Sequence, residues 1–449
     1  MTDARGAGTA SHAAVGLRAA AVALVVMGLA ACERDFVLEG ERFALRAPFA
    51  EDAGEVPDNR TLAVALPAQQ AHAAWTHRLG APGQRLSHPA LSAEPRLVWS
   101  APIGQGDGRG HRITADPVAE GGRIFTLDSR ALVTATSTSG QTIWSRDLRP
   151  AYARPDAASG GGLALGEGRL YVTSAFGLLV ALDPVTGAEL WRHRFDAPVT
   201  AAPAVAGGKV FVSVSDSTGW ALDAATGKVD WQLPGTPSGS SVAGGAAPAI
   251  AGERVVFPMP SGEVIAARRD TGMTVWSTLV GGQRIGIAAA GVTDITGDPV
   301  VAGDTIHVGN QSGGMLALDA RSGTQRWRAD EAAWGPVWPV GDSVFLLSDR
   351  NWLIRLEAAT GQYVWGNDLG LYREAREGRR AEIYAHYGPV LAGGRLWLAG
   401  NDSVLRSFAP DSGALVGAQP LPAAATGTPI VVDRTMYLVT GNGQLHALR

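Results

Sequence analysis

Seven tryptophans recur at nearly constant spacing, and that spacing restricts the fold of this chain more than any other feature. Trp99, Trp144, Trp191, Trp231, Trp276, Trp327 and Trp365 lie 45, 47, 40, 45, 51 and 38 residues apart, and Gly417 holds the next equivalent place, 52 further on. A repeat of this length is one supersecondary unit that buries a continuous core only by stacking on its neighbours. The same phrase leads into several of these positions: Ala181-Leu-Asp-Pro-Val-Thr-Gly187 before Trp191, Ala221-Leu-Asp-Ala-Ala-Thr-Gly227 before Trp231, and Ala317-Leu-Asp-Ala-Arg-Ser-Gly323 before Trp327. Degenerate copies stand at 135–140, 267–272, 355–361 and 408–413.

Each unit reads as a sheet. Leu170-Tyr-Val-Thr-Ser174 and Leu178-Leu-Val-Ala-Leu182 are β-rich runs split by a turn bearing Gly177, the pattern of a hairpin. Asp183 to Gly187 is the next turn, where Asp and Thr accept backbone hydrogen bonds and Gly takes a positive φ without steric cost. A third strand follows through Trp191. A fourth lies upstream, headed in most units by a proline (Pro203, Pro248, Pro299, Pro389, Pro429), which needs no ladder donor at a strand start. Four short antiparallel strands per period of about 45 residues make a propeller blade, and no segment sustains the 3.6-residue periodicity of a helical solenoid. The last run, 436–448, stops before its fourth strand, and the unpaired strand Arg96-Leu-Val-Trp99-Ser supplies it. The expected fold is therefore all-β: an eight-bladed propeller over 95–449 with both termini in the last blade. Each of the seven tryptophans is expected to pack between adjacent blades, which leaves Trp220, Trp334, Trp338, Trp352 and Trp397 free for a binding surface.

Composition removes several classes of function. A single cysteine excludes a disulfide framework, a zinc ribbon and a vicinal-cysteine redox centre. A net charge of −4 leaves no basic footprint for nucleic acid. Gly104 to Gly110 has the glycines of a phosphate loop but no following helix to bind an anion, so it reads as a flexible inter-blade loop. His72 and His77 read as solvated histidines, and the stretch Asp294–Asp298 lacks a calcium loop's terminal Glu. No metal or cofactor is expected.

The amino-terminal part divides into two. Arg5 and Arg18 precede an uncharged run from Ala19 to Ala31, too short to span a membrane but suited to a signal-peptide core. The run ends Leu29-Ala30-Ala31-Cys32, which resembles the lipobox of bacterial lipoproteins. That resemblance makes 1–31 a signal peptide and Cys32 the lipidated residue, and Glu33 in place of Asp implies sorting to the outer membrane. Residues 32–94, rich in Ala, Pro and charge with an isolated Trp75, read as a tether and a loosely packed lead-in.

The repeated Ala-Leu-Asp-x-x-Thr-Gly-x-x-x-Trp resembles the tryptophan-docking repeat of the pyrroloquinoline quinone enzymes and their relatives. With the lipobox, the length and the eight-blade count, the chain resembles the BamB lipoproteins of the outer-membrane β-barrel assembly machine. The dehydrogenase relatives imply a quinone over the central channel, calcium held by carboxylate and amide, and often adjacent cysteines. No cysteine follows Cys32 here, and the Asp and Asn residues fall mostly at turns, so no catalysis is expected. The BamB resemblance implies instead a BamA-like partner bound by inter-blade loops, unfolded outer-membrane proteins as further partners, and a periplasm-facing position. Its contact positions fall here on Ser240, Val242 and Ala243 in one surface connection, and on Asp294 and Thr296 in the next. A third connection alternates charge from Arg373 to Arg380 and reads equally as a solvated helical lid or as a partner site.

Overall fold

The structure is a computed structural model that describes residues 57–449 except 155–156, 240–241, 243, 282–291 and 375. Strands from Leu97 to Leu448 form eight four-stranded antiparallel sheets. In chain order the blades span 118–147, 161–194, 204–234, 249–279, 300–329, 338–368 and 386–420, and the eighth joins 430–448 to the strand Leu97–Pro102. Inner strands of successive blades touch from blade 1 round to blade 7, and the eight sheets stand in a ring. Leu97–Pro102 pairs with Gln444–Leu448, which closes the circle with the two ends of the repeat array. Blades 2 and 6 have no proline at the heading position: the inner strand Gly161–Gly166 follows Gly160, and Trp338–Val340 follows Val337.

One local geometry builds the outer wall seven times. A β-bulge shifts the register between the third and fourth strands, as between Ala181 and Leu182, and sets Trp191 opposite Ala181. Small residues repeat at that site: Ala135, Ala221, Ala266, Ala317 and Ala447 face Trp144, Trp231, Trp276, Trp327 and Trp99. Each indole then lies under the turn glycine of the following blade. A Cβ on Gly187, Gly227, Gly272, Gly323, Gly361 or Gly413 would stand within 2.7 Å of the preceding blade's tryptophan, so only glycine fits. Each indole N–H donates to a carbonyl of that same turn, from Trp99 to Thr138 O at 3.0 Å round to Trp365 to Pro410 O at 3.1 Å. A large apolar ring is buried with its one polar group satisfied.

Gly417 breaks the series for a reason that the topology supplies. Its tryptophan would dock on the turn between the third and fourth strands of blade 8, and those strands come from opposite ends of the array with no turn between them. Gln419 instead donates to Pro95 O at 2.9 Å across this seam.

Where the sequence suggests a loosely packed lead-in, residues 70–91 fill the centre of the ring. Trp75 is fully buried and exchanges backbone hydrogen bonds with Ala119 of blade 1. Leu165 N of blade 2 donates to Thr76 O, Val205 N of blade 3 to the His77 ring at 3.0 Å, and Val301 N of blade 5 to Gly83 O. Gly83 approaches blade 4 so closely that a Cβ would meet Ile250 N at 2.6 Å. Arg85 donates to Val337 O and Pro336 O beside blade 6 and lies 4.7 Å over the Trp338 ring. Gly394 N of blade 7 donates to His88, and Asp433 N of blade 8 to His72 O. Inner strands present unpaired N–H groups to the channel, and burying those without acceptors would be costly. The lead-in supplies the acceptors.

Upstream, residues 59–63 form a strap across the junction of blades 6 and 7. Arg60 N donates to Val364 O and Leu62 N to Asp411 O. Arg355, buried opposite Trp365 where other blades carry alanine, donates to Leu62 O and Ala63 O.

Candidate functional site

Antiparallel blades put every outer-to-inner connection on one face of the ring, the connection face, and the inner hairpins on the other. The lead-in touches the hairpins of blades 7 and 8 and fills the channel from that side. On the connection face the channel opens into a funnel of about 650 Å³, within the range of small-ligand sites. The floor is an ion triad. Arg78 Nε donates to Asp116 Oδ2 at 3.1 Å and Arg78 Nη1 to Asp298 Oδ1 at 2.9 Å. Burial works against the guanidinium charge, but the two carboxylates outweigh it and hold Arg78 above its ordinary pKa. Burial pushes Asp116 up, against the pull of Arg78.

Higher on the wall, Arg112 faces Asp107 at 3.3 Å and Arg373 faces Glu382 at 3.6 Å, so lining charges are paired. Tyr387 also lines the funnel, its hydroxyl pushed up to about 12 by burial. Among these charges stand exposed apolar groups: Trp334, 43 % exposed, and Ile383, 45 %, line the funnel, and Tyr372, 41 % exposed, lies beside Ile383. Tyr372 and Ile383 are β-bridge partners in the connection to blade 7. Among its described residues that connection holds one 3-10 turn, Glu377–Arg379, and no longer helix. Of the five propeller tryptophans outside the belt, Trp338 and Trp397 are buried in the core, Trp220 and Trp352 are half-buried, and Trp334 stands at the mouth.

The contact positions implied by resemblance come partly together. Val242 and Thr296 line the funnel. Ser240, Ala243 and Cys32 lie outside the described residues. Asp294 and Thr296 are 5 % and 8 % exposed, which differs from the surface placement expected of them. Asp294 Oδ2 accepts the Val242 N–H at 2.6 Å, and Thr296 donates to Ala333 O at 3.4 Å. Burial raises the Asp294 pKa. Asp294 thus ties the 242 loop to the next connection and presents no charge outward. His77, expected in solvent, is buried and pushed down to about 3 by desolvation, as befits a neutral acceptor for Val205. The hub residues Arg78 and Arg85 escaped the sequence reading, although an isolated Trp75 followed by Gly80 and Gly83 hinted at a packed turn.

A family model described as outer membrane protein assembly factor BamB matches residues 129–367, more than half of the 449-residue chain. The chain belongs to the BamB family. Curated relatives carry the same name. The BamB of Moranella endobia is 24 % identical over 363 residues, covering 79 % of this chain and 90 % of its own, and that of Shewanella oneidensis is 25 % identical over 369 residues, covering 78 % and 88 %. The crystal structure of BamB from Moraxella catarrhalis matches with a TM-score of 0.65 at 20 % identity, over 79 % of this chain and 99 % of that one. A quinohemoprotein alcohol dehydrogenase from Comamonas testosteroni matches at 0.63 and 16 % identity, over 84 % and 80 %. At such identities these structures speak for the fold alone.

The dehydrogenase likeness raises the question of a quinone and calcium centre, and the residues at the axis do not fit one. The guanidinium of Arg78 already neutralises both axial carboxylates: Asp116 accepts from Arg78 and Thr428 N through its two oxygens, and Asp298 accepts from Arg78 and Ala247 N through Oδ1. Among the described residues no three His, Cys, Asp or Glu side chains converge as metal ligands.

Proposed function

We propose that the protein is a non-enzymatic scaffold lipoprotein of the outer-membrane β-barrel assembly machinery, held by lipid on Cys32, facing the periplasm, and binding a BamA-like partner on its connection face. The observation that carries this reading is the exposed rim of Trp334, Tyr372 and Ile383 around the funnel of a BamB-family chain. Exposed tryptophan and tyrosine at the centre of a patch are typical interface anchors, because they offer large contact area at small entropic cost. Val242 and Thr296 extend the surface, the family resemblance adds Ser240 and Ala243 as contact positions, and Asp294 acts from inside by holding the Val242 amide. Unfolded outer-membrane proteins are a second class of partner for the same face.

Capture of the barrel-assembly partner from solubilised envelopes tests the assignment. Trp334→Ala should reduce recovery by roughly tenfold or more, the scale of a hot-spot truncation, with a smaller loss of stability than a core tryptophan because the residue is 43 % exposed. Val242→Asp should act in the same direction. Glu189→Lys, at the start of an outer strand on the hairpin side, is the control. Equal recovery of all three with wild type removes this face from consideration. Cys32→Ser should release an otherwise folded protein from the membrane fraction, and its retention there without lipid would refute the anchoring.

A further inference from the structure

We infer that Arg78 is a positioning residue that couples the lead-in to the connections around the funnel, acting through Asp116 and Asp298. The identity of those connections as a partner surface rests on the function proposed above, whereas the coupling itself does not.

The residue arrives already fixed. Its neighbours are held to the inner strands by backbone bonds at Trp75, Thr76 and Gly83 and by the His77 ring, so the guanidinium is delivered to the channel axis by a firmly docked segment. Asp116 leads into blade 1 and Asp298 into blade 5, which are diametrically opposed in a ring of eight. A single fork therefore spans the channel, which a lysine ammonium with one point of charge cannot do as well.

Each carboxylate has a second task on the funnel side. Asp116 Oδ1 accepts the Thr428 N–H at 2.7 Å, and Asp298 Oδ1 accepts the Ala247 N–H at 2.9 Å. Those amides end the connections whose residues 424–427 and 242, 244 and 245 line the funnel. Arg78 Nη1 also reaches Gly245 O at 3.4 Å. Blades 1, 4, 5 and 8 are thus referenced to one side chain that belongs to none of them. With Arg78 gone, two buried carboxylates lose the cation they are hydrogen-bonded to: Arg85 lies near enough to feel both charges but is bonded to Val337 O and Pro336 O, and Arg112 and Arg373 are engaged by Asp107 and Glu382. They should part toward water and loosen the amides they hold.

Amide hydrogen exchange on the full chain reads this directly. Ala247 and Thr428 report the coupling, and Leu165 and Val301, which donate to the lead-in backbone, report whether the lead-in stays docked. In Arg78→Met, exchange at Ala247 and Thr428 should accelerate by about tenfold or more, while Leu165 and Val301 stay protected. Arg78→Lys should fall between, and with Arg78→Gln it gives the same comparison if the methionine variant does not fold. Unchanged exchange at Ala247 and Thr428 overturns the inference. So does equal acceleration at all four amides, because that is a lead-in that leaves and not one that positions. Partner capture by the same variants separates the two proposals: loosened amides with undiminished capture uphold the coupling and remove this face as the partner surface.

Discussion

The outer wall and the hub of this ring solve the same burial problem in opposite ways. At the wall one contact is repeated: a tryptophan opposite a small residue, under the next blade's glycine, donating to the next blade's turn. The hub presents equivalent positions too, with Ala119, Leu165, Val205 and Val301 each offering an inner-strand N–H to the channel. Yet one asymmetric segment must meet them all, and it does so with backbone carbonyls for three and an imidazole for Val205. In blade 6 the corresponding residue is Pro339, which has no N–H, and there the lead-in brings a donor, Arg85, to carbonyls instead. A symmetric receptor can therefore hold an asymmetric ligand if each exception on one side is answered on the other.

Paired truncations test whether hub and wall are equally necessary. Trp365→Ala at the wall and Trp75→Ala in the hub both remove a fully buried indole, and each should cost about 3–5 kcal/mol in denaturant unfolding. A cost below about 1 kcal/mol for Trp75→Ala would reduce the lead-in to a passive filler. Next comes the strap: Arg355→Ala should cost about 2 kcal/mol through lost charge-assisted hydrogen bonds and should open residues 57–66 to proteolysis. If that stretch remains protected, the bonds made by Asn59, Arg60 and Leu62 N suffice to hold the strap.

The smallest effect is a pH dependence. Desolvation pushes His307, which takes the aromatic position beneath Trp327, down to about 4 from 6.5. The folded state thus resists protonation that the unfolded chain accepts, so stability falls as pH drops from 6.5 toward 4, by up to ~1.4 kcal/mol per pH unit per group. His307→Phe restores the ring found beneath Trp144, Trp231 and Trp365. It should flatten the acid limb of a stability–pH curve by that amount, leaving the share that comes from His77 in the hub, pushed down to about 3, and from His386. An unchanged slope would mean that His307 is hydrated in the fold.

The same contrast explains what could be read in advance. Blade number, strand order and closure follow from signals stated many times, so that a degenerate copy such as 355–361 is rescued by its neighbours. The hub is stated once, in a segment of alanine, proline and glycine whose period matches neither helix nor strand, and its partners lie far away in sequence. Arg355 did carry a warning: a long cation at a position that takes alanine in most other blades needs something to hold. The rim was half legible. Trp334 stood apart from the belt by spacing alone, whereas the inward turn of Asp294 depends on the amide of Val242, 52 residues earlier, which no local pattern reveals.

The order in which the parts of the ring are synthesised gives the lead-in one more consequence. Residues 70–91 precede every blade they touch, and their backbone hydrogen bonds to the blades run forward over separations from 44 residues, at Trp75 and Ala119, to 361, at His72 and Asp433. The closing strand Leu97–Pro102 likewise waits for Gln444–Leu448. The wall therefore condenses around a core peptide that is present from the start, and no step requires threading a plug through a finished ring. Such a chain settles late, because its most distant contacts govern the rate, and its earliest residues stay open to proteases until the last blade is in place.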